Sequence, residues 1–146
     1  MSVIAYDGHM IAADRQATNA GLRYMTTKLR RLKSGVVLAW TGDQDTGELL
    51  AQWYEQGANP TEWPEVQKDK EAWCRLIVAT GKECRFYERH PVSIKVEDAF
   101  LAWGSGRDYA MGAMAMGASA RKAVHVASRF DHNCGLGCDV FVLNRR

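Results

Sequence analysis

Ser2-Val-Ile-Ala-Tyr-Asp-Gly-His-Met-Ile-Ala-Ala-Asp14, directly after Met1, is the stretch on which the reading of this chain turns. Apolar residues alternate on both sides of Asp7-Gly8, and a two-residue Asp-Gly connection is a strong hairpin signal. The first strands are therefore expected at residues 2–6 and 9–14. With that turn Tyr6 faces His9, Ile4 faces Ile11 and Ser2 comes opposite Ala13, with Asp14 one residue beyond. Removal of Met1 would expose Ser2 as a new terminus, so that a hydroxyl and a free α-amine share one residue. Such an amine titrates near pH ~8 and can accept the hydroxyl proton.

Working outward, residues 24–32, a Lys33-Ser34-Gly35 turn and residues 36–40 predict a second hairpin. Its three-residue turn sets Leu32 against Val36 and Lys28 against Trp40, with Gly42 two residues later. Residues 48–56 read as a helix with an apolar stripe of Leu49, Leu50, Trp53 and Tyr54. Asn59-Pro60 and Trp63-Pro64 mark a loop. Strands follow at 72–79 and 84–88, and another ends in Phe100-Leu-Ala-Trp103. Gly104-Ser105-Gly106 then breaks the pattern before helices at 107–116 and 119–128. Residues 139–143 form a last strand. Hairpins in place of βαβ alternation predict an α+β fold with antiparallel sheets and helices packed outside.

The 146 residues fit one domain, 1–146, and 47% hydrophobic with 25% charged residues is ordinary for a globular protein. A net charge of +2 is too small to point to nucleic acid, and Lys28-Leu-Arg-Arg-Leu-Lys33 reads as a strand with one charged face. No segment approaches the roughly 20 apolar residues of a membrane span, and no signal peptide is evident. Cys74, Cys84, Cys134 and Cys138 are scattered, as suits reduced thiols in a cytoplasm. His132, Cys134 and Cys138 match no standard zinc spacing, so neither metal nor cofactor is expected.

Each hairpin delivers two polar elements away from its turn: Ser2 with Asp14, and Lys28 with Gly42. A buried lysine beside Ser2 would disfavour protonation of the amine, Asp14 could hold that lysine, and the Gly42 N–H could donate to a tetrahedral oxyanion. Read singly, Asp14 also fits a strand-end cap, Lys28 a solvated side chain and Gly42 a turn residue.

Taken in order, the motifs resemble the proteasome β-type and HslV-like N-terminal nucleophile hydrolases, in a short bacterial or phage form. Gly8-His-Met-Ile-Ala-Ala-Asp14-Arg-Gln-Ala-Thr18 resembles that family's second strand and the loop after it, and Lys28-Leu-Arg-Arg-Leu32 the segment opening with its active-site lysine. Thr41-Gly42-Asp43 falls at its oxyanion glycine, and Ala102-Trp-Gly-Ser105-Gly-Arg-Asp-Tyr-Ala110 at its Gly-Ser-Gly turn into a helix. Asp131-His-Asn-Cys134-Gly falls on its late Asp-x-x-Ser element. The resemblance implies a four-layer αββα sandwich with two antiparallel sheets, and a catalytic set of Ser2, Asp14, Lys28, Gly42, Ser105, Asp131 and Cys134. It places Ala17, Thr26, Arg30, Trp40 and Gln44 in the primary specificity pocket, where Trp40 would shrink the space, unless it is simply a core residue, and Arg30 would favour acidic side chains.

Three departures stand out. Serine replaces the usual threonine nucleophile and loses the methyl that restricts rotation. Cys134 replaces the supporting serine, and the first hairpin is short. The activity implied is a self-compartmentalising peptidase acting on peptides or unfolded protein inside homo-oligomeric rings, a double ring, with any ATP spent by a separate unfoldase. The alternatives are a catalytically quiet ring-forming scaffold and a small-molecule amidase or acyl transferase.

Overall fold

A computed structural model describes residues 2–143. Met1, whose removal the sequence reading requires, lies outside the described residues. Strands β1 (Ile4–Tyr6) and β2 (Met10–Asp14) pair antiparallel, flanked by β10 (Leu101–Trp103) and β11 (Cys138–Val142) in the order β10-β1-β2-β11. The second sheet runs β5-β6-β7-β8-β9, from Leu29–Arg31, Val37–Gly42, Cys74–Ala79, Cys84–Tyr87 and Ser93–Lys95. Its strands are antiparallel neighbours throughout. Helix α1 (Gln44–Glu55) lies on this sheet, whereas α2 (Arg107–Ala115) and α3 (Ala120–Phe130) lie on the first.

Three apolar layers hold these elements together. Ile4, Ile11, Leu29, Val37 and Ile77 are buried between the two sheets. Ala5, Ala12 and Val3 meet α2 and α3 through Ala110, Ala123 and Val124. Leu38, Trp40 and Leu76 meet α1 through Leu50 and Ala51. Alternation along β1, β2 and β6 feeds opposite faces into different layers, as strand geometry requires. The result is the expected four-layer αββα sandwich with two antiparallel sheets.

Small residues set the helix distances. Ala120, Ala123, Val124 and Ala127 are fully buried along one side of α3, so this helix sits close on β1 and β2. Gly47 in α1 lies against the Trp40 ring, where a Cβ would come within 2.1 Å of a ring carbon. Helix α1 begins four residues before the expected start because Asp43 caps it, accepting from the Thr46 backbone N–H at 3.0 Å.

The first hairpin corrects the expected register. Tyr6 pairs with Ile11 and Ile4 with Ala13, so residues 7–10 form a longer turn than Asp7-Gly8 alone. The Asp7 carboxylate accepts from the His9 and Met10 backbone N–H groups at 2.8 Å, which builds that turn. The shift is two residues, an even number, so every side chain keeps its predicted face. In the second hairpin the register is as expected, with Leu29 opposite Ala39 and the Trp40 N–H donating to the Lys28 carbonyl at 3.1 Å.

A further hairpin interrupts the expected strand 24–32. β3 (Gln16–Asn19) and β4 (Leu22–Met25) pair with each other through Ala20 and Gly21, both at positive φ. All of β4 is exposed and only Gln16 and Ala17 of β3 are buried, so no apolar periodicity marks this pair in the sequence.

Candidate active site

The ends of β1, β2, β5 and β6 converge on Ser2. Its main chain is fixed first: the Ser2 carbonyl accepts from the Gly106 N–H at 3.2 Å and from Ser105 Oγ at 3.4 Å. Gly104 permits this approach. At φ +99° a Cβ there would lie 2.1 Å from the Ser2 carbonyl oxygen, so only glycine fits.

Asp14, at the end of β2, is fully buried. One carboxylate oxygen accepts from the Val3 N–H at 3.0 Å and from Lys28 Nζ at 2.7 Å. The other accepts from the Gln16 N–H at 3.3 Å and the Gly135 N–H at 3.0 Å. A carboxylate out of water needs such a complete set of donors. Lys28, just before β5, is 3% exposed. Burial pushes its ammonium below the ordinary lysine value, and the Asp14 carboxylate opposes that shift without cancelling it.

Gly42 ends β6 at φ +132°, and a Cβ there would lie 2.7 Å from the Trp73 carbonyl oxygen. That close approach keeps the position to glycine. Behind Ser2, Cys134 Sγ donates to Asp131 at 3.4 Å and lies 3.9 Å from Ser105 Oγ. Burial, with Asp14 and Asp131 nearby, pushes the Cys134 thiol up to about 12. Burial raises the Asp131 carboxyl, but the Asn133 N–H with the Ser105 and Cys134 side chains together hold it below its ordinary value. Ser105, Asp131 and Cys134 thus form one chain of contacts leading to the Ser2 carbonyl.

A cleft of about 140 Å³ opens over this group, lined by Ser2, Lys28 and Gly42 together with Ala17, Trp40 and Gln44. Those last three are expected pocket residues. Thr26 and Arg30 are not among its lining. The Thr26 N–H donates to the Arg15 carbonyl at 2.8 Å, and the Arg30 guanidinium sits 5.3 Å over the Trp40 ring. Arg30 also pairs with Glu48 and, at 3.1 Å, with Glu55. Its charge is met by two carboxylates, which removes the reason to expect attraction of acidic side chains.

Sequence reasoning missed three contributors. Gln16 is 3% exposed and its amide donates to the His132 carbonyl at 2.9 Å, tying the Asp131–Cys134 turn to β3. Gly135 reaches Asp14 across 121 residues of chain. Thr41, read only as the neighbour of Gly42, shares a hydrogen bond with the Ser2 hydroxyl. The one available signal was a polar side chain, Gln16 or Thr41, placed next to an assigned site residue. Among the described residues, no group of three or more His, Cys, Asp or Glu stands close enough to hold a metal ion. No helix there is long and apolar enough to cross a membrane.

No protein-family model and no curated protein matches this sequence. Solved structures do. The chain is similar to the eukaryotic HslV from Trypanosoma brucei at 23% identity and a TM-score of 0.73, covering 98% of both chains. It is similar to Thiobacillus denitrificans BPH in complex with epoxomicin at 20% identity and a TM-score of 0.72, covering 99% of this chain and 98% of that one. A second structure of the same BPH gives 21% identity and a TM-score of 0.71 over the same coverage. The chain has the HslV-like, proteasome β-type fold.

Proposed function

We propose that this chain is a self-compartmentalising peptidase whose nucleophile is the Ser2 hydroxyl, set free to act by loss of Met1. The observation that carries the reading is the meeting of Ser2, the buried Lys28–Asp14 pair and Gly42 at one cleft. With Met1 gone, the Ser2 α-amine takes the hydroxyl proton as Oγ attacks the peptide carbonyl. The carbonyl electron pair moves to oxygen, and the Gly42 N–H donates to that oxyanion. Collapse breaks the C–N bond, and the ammonium returns its proton to the leaving amine. Water then cleaves the Ser2 ester by the same route, with the amine again as base.

Lys28 does its work through charge. A positive group beside the amine disfavours protonating that amine and so keeps it in the free-base form that can accept a proton at neutral pH. Asp14 orients Lys28, while Ser105, Asp131 and Cys134 hold the Ser2 main chain against the cleft. The substrate is an extended peptide or unfolded segment, whose side chain enters beside Ala17, Trp40 and Gln44.

Closed homo-oligomeric rings are part of the same reading. Leu22 and Met25 on the β3–β4 hairpin are exposed beside the cleft, and Tyr109, Met116 and Phe130 are exposed on α2, α3 and the turn between them. Two separated apolar faces suit heterologous contacts that close on themselves. A separate ATPase unfoldase would feed such a chamber.

The test uses the mature chain, checked for Met1 loss by intact mass, with a fluorogenic peptide amide. Wild type turns over, and Ser2→Ala loses hydrolysis while keeping its assembly, because the hydroxyl contributes little packing. Equal turnover by the two proteins overturns the nucleophile. Light scattering on the eluting protein reads the rings, and a stable monomer at micromolar concentration overturns the compartment.

A further inference from the structure

The loss of the γ-methyl from the nucleophile leaves a question of how its hydroxyl is held. Threonine is stiff at χ1 because two heavy atoms crowd its Cβ, whereas serine rotates among three wells. A nucleophile that spends its time in the wrong well attacks less often.

The neighbours of Ser2 supply an answer from the opposite sheet. Thr41 Oγ1 lies 2.5 Å from Ser2 Oγ, and both residues are buried, at 7% and 2% exposure. Thr41 is itself β-branched and sits inside a strand whose register fixes it opposite Arg75, so its hydroxyl has little freedom. Gly104 leaves the space between the two residues open: a Cβ there would lie 2.1 Å from the Ser2 carbonyl oxygen and 3.1 Å from Thr41 Oγ1.

We propose that Thr41 is a catalytic partner of the nucleophile, its hydroxyl holding the Ser2 side chain in the attacking rotamer in place of the absent γ-methyl. Ser2 gives its own proton to the base, so in this pair Thr41 donates and Ser2 Oγ accepts. The same donation stabilises negative charge on Oγ as the proton leaves. No atom is transferred to Thr41, and it returns unchanged after each acyl step. This inference rests on Ser2 being the nucleophile. It extends that reading by making the pair Ser2–Thr41 the functional equivalent of a single threonine.

The experiment compares mature wild type, Thr41→Val and the double variant Ser2→Thr/Thr41→Val, with two readouts. One is kcat and KM on the fluorogenic peptide amide. The other is the Ser2 χ1 population, from NMR couplings or a high-resolution crystal structure. Wild type should show one Ser2 rotamer. Thr41→Val keeps the shape but removes the hydroxyl, so Ser2 should occupy more than one rotamer. Its kcat should fall about tenfold or more with KM within about twofold. Threonine at position 2 should then recover most of the kcat in the valine background, which a merely structural defect would not allow. A valine variant with near wild-type kcat, or a double variant no faster than the single one, overturns the proposal. If wild type cleaves no peptide, the proposed function fails, and the rotamer comparison still decides whether Thr41 holds Ser2. If the valine variant does not fold, several Ser2 rotamers in wild type overturn the proposal, and one rotamer supports it.

Discussion

Lys28 and Arg30 stand two residues apart, both pair with carboxylates, and the two pairings do different things. Lys28 meets Asp14 with side-chain exposures of 4% and 0%. Arg30 meets Glu48 and Glu55 with exposures of 34%, 43% and 40%. Water screens the second cluster far more than the first. The outer cluster therefore braces α1 lightly against the sheet, and the inner pair forms a rigid charged floor under Ser2. Burial, more than charge, separates the two pairs.

The largest effect expected from that contrast is at Lys28. Lys28→Met keeps the length of the side chain but leaves the Asp14 carboxylate buried without its cation. Removing one partner of a buried pair costs about 3–5 kcal/mol, read as a lowered midpoint in urea, and peptide hydrolysis should vanish with it. A midpoint near wild type would show that Val3, Gln16 and Gly135 N–H groups alone satisfy Asp14, and the contrast between the two clusters would collapse.

A second measurement sharpens the comparison through pH. The Lys28 ammonium is held below its ordinary value of 10.5 by burial, so just below pH 10.5 the folded chain binds fewer protons than the unfolded one. Stability from this group is complete above that pH and is lost as pH falls through the folded value. The stability gap between wild type and Lys28→Met should therefore widen from pH 7 towards 10. Arg30 behaves otherwise: burial lowers its guanidinium, but Glu48 and Glu55 together outweigh that and raise it above the ordinary arginine value. The gap between wild type and Arg30→Ala should stay flat over the same range, and a matching slope in both would break the distinction.

The smallest effect is Arg30→Ala itself. Exposed pairs are worth about 0–1 kcal/mol, so the urea midpoint should move little, and added salt should shrink even that. A loss comparable to Lys28→Met would mean that the stacking of Arg30 on Trp40 carries far more than its charge.

Particular elements explain what could be read in advance. The second hairpin came out in register because a Lys33-Ser34-Gly35 turn leaves few ways to pair its strands. The first hairpin did not, because the Asp7 side chain builds a longer turn than its dipeptide suggests. The β3–β4 hairpin and β9 (Ser93–Lys95) were missed for a shared reason: they lie largely at the surface, so apolar periodicity does not mark them. The Arg30 side chain leaves the expected pocket because its two glutamate partners lie about one and three turns along α1, where nothing local in residues 28–32 points.

The sequence by itself determined the order of the buried strands and the helices and their antiparallel hairpin pairing, though not the β3–β4 hairpin or β9. Those follow from side-chain periodicity and turn chemistry, which act over a few residues. Only the tertiary structure decided that Thr41 meets Ser2 across 39 residues, that Gly135 satisfies Asp14 across 121, and that Arg30 turns outward. Each of those depends on how two sheets and their helices stack. Stacking is set by volume and burial summed over the whole core, which no local pattern encodes.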